Sequence, residues 1–260
     1  MPTLYQTLQH SPYAQVKFPI ACKQLEGAID AFFQFLSLPD EIKTHIDLRV
    51  SQTQRRAEIG YRHRDPEDDP YHDSKDFFHF HPMIFEKYES FLEKNPIVQD
   101  FMFKAKPIWD GVYAVTYKAL NSLNERFPGT TNKIFGTKDV HILLRFLKYQ
   151  WNESGEYLAK PHFDAGSFTL AVAESCPGLR IGYGPDDLEI VNHKENHAIF
   201  MVSSNFKKII DSDEFAPGWH DVIQMDKTKV GKSFARWAMV AFIDGINVEQ
   251  LPREETHKYV

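Results

Sequence analysis

The chain has 260 residues, 42% of them hydrophobic, so it is long enough to bury a sizeable core as one large domain. Its formal net charge is −6 and its basic residues are scattered along the sequence, which argues against a nucleic-acid partner. Its two cysteines, Cys22 and Cys176, have neither the number nor the spacing of a disulfide framework or a zinc knuckle.

The N-terminal segment, Met-Pro-Thr-Leu-Tyr-Gln, has neither the basic region nor the apolar stretch of a secretory signal. No apolar run in the sequence approaches the length needed to span a bilayer. We therefore expect a cytoplasmic protein that has no membrane partner.

The first half of the chain reads as mostly helical. Residues 25–36 have helical spacing and stop before Pro39, and residues 86–93 carry a second helical pattern, which Pro96 interrupts. A third, amphipathic stripe ends at Pro128-Gly129 and consists of Ile108, Val112, Val115, Ala119 and Leu123. We expect residues 1–137 to form a mostly helical region that packs on the outside of a barrel.

Residues 61–70 mix both charges with two prolines. They read either as a solvated surface loop or as a lid over an active site, in which Arg62 or Arg64 holds an acidic group of a substrate. Farther on, His79 and His81 stand two residues apart, with His72 and Asp73 nearby. These two histidines read either as a second metal site or as satisfied polar positions.

From residue 140 onward the apolar segments are short and separated by turns. Five of them are predicted to be strands: residues 142–149, 168–173, 179–183, 198–202 and 234–243. This pattern is typical of a double-sheet barrel or jelly roll. We therefore predict a mainly β fold with a helical N-terminal region: a single domain of residues 1–260, in which residues 138–260 form a double-stranded β-helix (jelly-roll) core.

His162 and Asp164 stand two residues apart on extended backbone, directly before a predicted strand. On a strand this spacing projects both side chains to one face, where they can bind one cation. His220 follows a Pro-Gly turn and can supply a third ligand. Two histidines and one carboxylate on one face suit non-heme Fe(II) and leave positions open for O₂. The alternative for the pair is a histidine that lies beside an aspartate on the surface by chance.

Arg236 lies within the apolar segment of residues 233–244. A guanidinium among apolar neighbours needs an anionic partner, and arginine is well shaped to bind a carboxylate through two parallel hydrogen bonds. Arg236 therefore binds either the far carboxylate of a dicarboxylic cosubstrate or a carboxylate of the chain itself.

The order His162-x-Asp164, His220, Arg236 resembles the isopenicillin N synthase-like branch of the 2-oxoglutarate- and Fe(II)-dependent oxygenases. Residues 32–43, 60–61, 75–78 and 143–149 are similar to further segments of this family, so the resemblance covers roughly residues 32–244. It implies that His162, Asp164 and His220 hold Fe(II), and that Arg236, together with Tyr149, binds 2-oxoglutarate. It also implies O₂ as a reactant and a small-molecule substrate, which is usually hydroxylated.

Three features depart from the family pattern. Ala238 stands where the family usually has serine, Leu147 stands where it tends to have asparagine, and the interval between His220 and Arg236 is longer, with the insertion expected in residues 224–232. Two alternatives therefore stay open. One is an iron oxidase of the same fold that does not use 2-oxoglutarate. The other is a non-catalytic jelly-roll protein that binds a metal or a small ligand.

Overall fold

The computed structural model of the protein describes residues 2–52, 54, 57–65, 74–151, 157–225 and 233–256. Within these ranges, antiparallel strands form two sheets that enclose a cavity, and helices cover the outer face of the larger sheet. None of the helices in this part of the chain combines the length and the apolarity that crossing a membrane requires.

The described strands are β1 (Tyr13–Lys17), β2 (Asp47–Arg49), β3 (Glu58–Arg64), β4 (Lys75–Phe80), β5 (Ile142–Tyr149), β6 (Tyr157–His162), β7 (Phe168–Glu174), β8 (Leu179–Gly182), β9 (Glu189–Ile190), β10 (His197–Val202), β11 (Trp219–Ile223) and β12 (Arg236–Ile243). The larger sheet has the order β1-β10-β7-β12-β5-β4-β3-β2, and the smaller has the order β6-β11-β8-β9. Strands β12 and β5 therefore lie at the centre of the larger sheet.

The described α-helices are α1 (Leu4–Leu8), α2 (Cys22–Leu36), α3 (Asp40–Lys43), α4 (Met83–Lys87), α5 (Glu89–Lys94), α6 (Pro96–Leu123), α7 (Asn132–Phe135), α8 (Phe206–Ile210) and α9 (Arg253–Thr256). Helices α2 and α6 pack on the larger sheet, where the Phe146 ring lies 5.8 Å from Phe32 and 5.0 Å from Phe101. The Trp109 indole also donates a hydrogen bond to the Ile142 carbonyl at 2.9 Å. These contacts fix α6 against the start of β5.

Alternation along the central strands separates the core from the cavity. On β5, Leu144 and Phe146 are buried in the helix-covered core, whereas Arg145, Leu147 and Tyr149 line the cavity. One face of this sheet therefore packs against the helices, and the other lines the cavity.

The mainly β fold with a jelly-roll core is confirmed. All five strands predicted after residue 140 are present, as β5, β7, β8, β10 and β12, each within two residues of its predicted ends. The region of residues 1–137, predicted as mostly helical, also supplies β1 to β4 to the larger sheet. Its β4 is buried along its whole length, so it lacks the alternation of apolar and polar residues that marks a half-exposed strand. The assignment of residues 1–260 to one domain stays a prediction.

One local prediction is wrong. Residues 61–64, read as part of a charged loop or lid, instead form the second half of β3, and residues 66–70 lie outside the described part of the chain. The interruption predicted at Pro96 is confirmed, because α5 ends at Lys94 and Pro96 is the first residue of a new helix, α6. Proline is well accommodated there because its missing N–H has no partner in the first turn of a helix.

Candidate active site

A cavity of about 310 Å³ lies between the two sheets. Residues of β4, β5, β7 and β12 form its floor, and residues of β6, β8 and β11 cover it. Much of its wall is apolar, including Leu147, Ile181 and Val222. Charges within such a wall interact more strongly than they do in water.

The structure brings His162, Asp164 and His220 together at this cavity. His162 ends β6 and faces His220 of β11 as a cross-strand pair, with the two rings 4.4 Å apart. Asp164 lies two residues beyond β6, with Oδ1 3.5 Å from Nε2 of His162 and Oδ2 3.8 Å from Nε2 of His220. Each residue offers a ligand atom, and these atoms lie within 4.8 Å of one another. Among the described residues this is the one group that has metal-binding geometry.

Backbone carbonyls fix the tautomers of both histidines. Nδ1 of His162 donates to the Lys160 carbonyl at 2.7 Å, and Nδ1 of His220 donates to the Gly218 carbonyl at 3.2 Å. In the neutral form of either ring, Nε2 is therefore left with a lone pair that faces Asp164. Such outer hydrogen bonds are typical of histidines that ligate metals.

Asp164 is held by a hydroxyl. Thr169 Oγ1, on β7, donates to Asp164 Oδ2 at 2.5 Å. Burial by itself raises the pKa of Asp164, but the charge that His220 carries in its protonated form and the hydrogen bonds from His162 and Thr169 outweigh it. The pKa of this carboxyl therefore lies well below its ordinary value, so it is ionised at neutral pH.

His220, unlike Asp164, must be uncharged to bind a metal. Burial, reinforced by the neighbouring His162, lowers its pKa to about 4. The ring is therefore neutral at neutral pH, which is the form that binds a metal. An ionised carboxylate beside a neutral imidazole whose Nε2 is turned inward is a donor set that fits Fe(II).

Arg236 lies in a second part of the same cavity, at the start of β12. It faces Tyr149 of β5 in the sheet register, and its guanidinium lies 5.7 Å from the Tyr149 ring. Its Nε donates to the Cys176 carbonyl at 3.1 Å, and Nη2 donates to Oε2 of Glu174. The sequence leaves open whether Arg236 binds a cosubstrate or a carboxylate of its own chain. In this structure its partner is a carboxylate of its own chain.

Glu174 also approaches His193. Nδ1 of His193 lies 3.2 Å from Glu174 Oε1, while Nε2 donates to the Ala171 carbonyl at 3.0 Å. Burial raises the pKa of Glu174, but His193 and Arg236 together hold it below its ordinary value. The two oxygens of this carboxylate are therefore divided between two basic side chains.

A β-bulge in β7 turns Glu174 toward the cavity. Met239 pairs with Ala173 and the next residue, Val240, pairs with Ala171, so one residue of β7 is unpaired. Because alternate residues of a strand face opposite sides, this extra residue moves Glu174 onto the cavity face, beside Ala238.

The positions that depart from the family pattern form one row. Ala238 pairs with Leu147 on one side and with Glu174 on the other, across β5, β12 and β7. All three line the cavity. Two polar positions of the family are thus apolar in this chain, and a charged residue lies next to them. The inserted segment lies largely outside the described residues, which resume at residue 233.

Within the described part of the chain, the other two candidate ligands, His79 and His81, belong to no group with metal-binding geometry. His79 Nδ1 donates to the Glu58 carbonyl at 2.8 Å, and His81 Nε2 donates to the Val140 carbonyl at 3.1 Å. Burial lowers the pKa of His81 to about 4, so this ring is neutral. The reading of both histidines as satisfied polar positions fits these contacts, and His72 and Asp73 lie outside the described residues.

Sequence reasoning missed several cavity residues, among them Thr169, Arg145 and Glu174. Thr169 carries a usable signal, since it lies on the face of a predicted strand that follows the ligands. Arg145 carries the same signal as Arg236, namely a single arginine within an apolar strand. Glu174 carries no such signal, because a bulge cannot be read from the alternation of residues.

Comparisons with known proteins rest on the fold. No family model matches the chain, and neither does any curated protein. A solved structure of Neurospora crassa T7H with α-ketoglutarate and thymine is 19% identical, with a TM-score of 0.68 over 96% of this chain and 83% of that one. Dioxygenase for auxin oxidation 1 of Arabidopsis thaliana, solved with 2-oxoglutarate, is 14% identical, with a TM-score of 0.70 over 97% and 90%.

A third structure, JOX2 solved with 2-oxoglutarate, iron and JA, is 16% identical, with a TM-score of 0.67 over 96% of this chain and 72% of that one. These similarities extend over nearly the whole chain. The resemblance that the sequence motifs indicate is confirmed at the level of the fold: the chain has the fold of the 2-oxoglutarate- and Fe(II)-dependent oxygenases.

Proposed function

We propose that the protein is a non-heme Fe(II)- and 2-oxoglutarate-dependent dioxygenase that oxidises a small molecule, with hydroxylation as the usual outcome. The observation that carries the proposal is the triad of His162, Asp164 and His220, in which carbonyls turn both imidazole Nε2 atoms toward an ionised carboxylate. The small-molecule ligands of the structural neighbours, such as thymine, support a substrate of that size. The cytoplasmic location stays a prediction.

The residues of the chain hold the reactants. His162, Asp164 and His220 would hold Fe(II), and the rest of the cavity would receive 2-oxoglutarate and O₂. Bound there, Fe(II) would supply the O₂ activation by which 2-oxoglutarate is converted to succinate and CO₂ while the substrate gains an oxygen atom. Thr169 keeps the Asp164 carboxylate in its ligating orientation, and the apolar walls exclude water.

Arg236, with Tyr149 beside it, is the proposed binding site for the distal carboxylate of 2-oxoglutarate. Because Glu174 contacts the same guanidinium, the incoming carboxylate must take its place or share Arg236 with it. His193 is positioned to keep Glu174 when it leaves, since it already lies 3.2 Å from the other carboxylate oxygen. Binding of the cosubstrate would thus exchange one arginine–carboxylate pair for another.

The test is anaerobic titration of the Fe(II)-loaded protein with 2-oxoglutarate. Chelation of ferrous iron by a keto acid is expected to produce a weak visible charge-transfer band, and this band should be absent in Asp164→Ala. Stoichiometric succinate on admission of O₂ and substrate would complete the evidence. Failure of Fe(II) to bind would reject the proposal.

One observation favours a second candidate, the iron oxidase that does not use 2-oxoglutarate. The Glu174–Arg236 pair, together with the apolar Ala238 and Leu147, would suit a site that never receives a dicarboxylate. The same titration separates the two. Fe(II) binding without a band, and O₂ consumption without succinate, would place the oxidase first.

A further inference from the structure

The Glu174 carboxylate joins Arg236 to His193, which lies in the loop between β9 and β10. Its Oε2 accepts a hydrogen bond from Nη2 of Arg236, and its Oε1 lies 3.2 Å from Nδ1 of His193. The exposed fractions of the three side chains are 4% for Arg236, 8% for Glu174 and 15% for His193. Water therefore screens their charges only weakly, and a change in the net charge of this cluster has a large energetic effect.

The backbone determines which nitrogen of a neutral His193 carries the proton. Nε2 donates to the Ala171 carbonyl at 3.0 Å, so Nδ1 of the neutral ring has a lone pair. Among the described residues Nδ1 has no aligned hydrogen-bond partner, and the oxygen within its reach belongs to the Glu174 carboxylate. A proton on Nδ1 would convert this contact between two acceptors into a charge-assisted hydrogen bond.

The charges of the cluster cancel before 2-oxoglutarate binds. Arg236 carries one positive charge, Glu174 carries one negative charge, and a neutral His193 adds none. The distal carboxylate of 2-oxoglutarate would bring a second negative charge, whether it displaces Glu174 from Arg236 or shares the guanidinium with it. Two carboxylates beside one guanidinium are costly in a buried site unless another positive charge accompanies them.

The loop of His193 packs against β7 and β1, which bring few other charges to it. Strand β7 contributes Glu174, and β1 contributes the Tyr13 phenol, which stays uncharged because burial raises its pKa. The chain neighbours Lys194 and Glu195 are exposed, so water screens their charges. Among the groups around Glu174, His193 is therefore placed to provide the additional positive charge.

The groups around Arg236 cannot provide it. The Tyr149 ring lies 5.7 Å from the guanidinium, and Cys176 accepts a hydrogen bond from Nε through its carbonyl. Neither a phenol nor a thiol gains a positive charge by protonation. Histidine is the side chain that ordinarily gains a proton near neutral pH.

From this charge balance we infer that His193 takes up a proton from solvent when 2-oxoglutarate binds, and that the protonated ring holds Glu174 while the cosubstrate pairs with Arg236. The inference rests on the proposed function and adds a proton to the binding of the cosubstrate. His193 is a positioning residue, since it acts on 2-oxoglutarate through Glu174. Because the complex binds more protons than the free protein, the affinity for 2-oxoglutarate falls as the pH rises, by at most about tenfold per pH unit.

Calorimetric titration of the anaerobic, Fe(II)-loaded protein with 2-oxoglutarate counts the protons. The titration is run at pH 8 in Tris and in HEPES, because the observed heat differs between two buffers in proportion to the protons exchanged. We expect uptake of at least about half a proton for each 2-oxoglutarate bound, together with weaker binding at pH 8 than at pH 7. No uptake of protons, or their release, would overturn the inference.

His193→Gln should abolish the uptake, since the glutamine amide can donate to Glu174 but cannot gain a proton. Glu174→Gln should abolish it as well, because the guanidinium and the cosubstrate carboxylate then balance each other. His10→Gln, at an exposed position outside the cavity, is the matched control and should keep it. Uptake that persists in His193→Gln would assign the proton to another group and contradict the role of His193.

The pH profile separates this role from a merely structural one. Loss of a structural contact would weaken 2-oxoglutarate binding by the same factor at each pH, whereas loss of the proton-accepting ring should flatten the pH dependence itself. If His193→Gln does not fold, the proton count of the unaltered protein and that of Glu174→Gln still decide.

Failure of this inference is distinguishable from failure of the proposed function. The charge-transfer band of the same Fe(II)- and 2-oxoglutarate-loaded sample is recorded after each titration. A band without proton uptake would reject only the role of His193. Absence of both the band and the heat of binding would reject the proposed function and this inference with it.

Discussion

The triad and the Arg236 region share one cavity. They differ in whether the side chains that would bind a ligand already have a partner from the chain. In the triad, contacts from the described residues turn the ligand atoms inward: two carbonyls fix the histidine tautomers and Thr169 holds the carboxylate. Around Arg236, the chain supplies the partner itself, since Glu174 contacts the guanidinium. The first region is arranged to receive a ligand directly, whereas the second must exchange one.

This difference predicts two kinds of response to mutation. Changes in the triad should remove a ligand or its support, so metal binding falls. Changes near Arg236 alter a competition between two carboxylates, so cosubstrate affinity falls or rises according to which competitor is affected. The predictions below are ordered by the size of the expected effect.

Asp164→Ala should have the largest effect. It removes the only charged ligand and leaves two imidazoles, so we expect the Fe(II) affinity to fall by at least about 1000-fold. Equilibrium binding of Fe(II) under anaerobic conditions measures this change. Asp213→Ala, which changes an exposed carboxylate outside the cavity, is the matched control and should bind the metal normally. Normal Fe(II) affinity in Asp164→Ala would contradict the assignment of Asp164 as a metal ligand.

Arg236→Ala should chiefly affect 2-oxoglutarate. Loss of a two-point contact with a carboxylate corresponds to about a 100-fold weaker affinity, whereas Fe(II) binding should stay close to that of the unaltered protein. The charge-transfer titration measures both quantities. Arg236→Lys keeps the positive charge but loses the planar guanidinium, so its affinity for 2-oxoglutarate should lie between those of the unaltered protein and Arg236→Ala. Unchanged cosubstrate dependence would contradict the role given to Arg236.

Thr169→Val tests the support of the triad without removing a ligand. The hydroxyl that orients Asp164 is lost while the shape of the side chain is kept, so we expect Fe(II) affinity to fall about tenfold. Thr7→Val, in helix α1 outside the cavity, is a control for the substitution itself. Fe(II) affinity that is equal in the two variants would show that Asp164 needs no such support.

Glu174→Gln should have the smallest effect, and in the opposite direction. It removes the competing negative charge, so 2-oxoglutarate should bind about fivefold more tightly. The same change leaves the buried Arg236 without its anion, so the melting temperature should fall without cosubstrate and recover when cosubstrate is added. Weaker binding of 2-oxoglutarate would mean that Glu174 assists the cosubstrate rather than competing with it.

Much of the fold and the metal site can be predicted from the sequence. The β half follows from short apolar runs between turns, and the triad follows from the spacing of His162 and Asp164 before a strand and from His220 after Pro-Gly. The position of Arg236 in an apolar run predicts an anionic partner, but which anion it is depends on contacts between distant strands. Strand β4 is missed because it is buried along its whole length.

Glu174 could not be predicted because its orientation depends on a pairing irregularity. Regular alternation places it on the face of β7 opposite Thr169 and Ala171, whereas the bulge returns it to the cavity. Arg145 could have been found by the argument that was applied to Arg236. Its aromatic and histidine neighbours lie on β4 and β12 and become visible only when the strands are paired.

The bulge in β7 also shows how much length this strand can lose. Deleting Val172 would remove the unpaired residue, so that Ala171, Ala173 and Glu174 would pair with Val240, Met239 and Ala238 in a regular ladder. Glu174 would stay beside Ala238 on the cavity face, and the guanidinium of Arg236 would keep its internal counterion. The strand could therefore be one residue shorter and still supply the carboxylate that competes for Arg236.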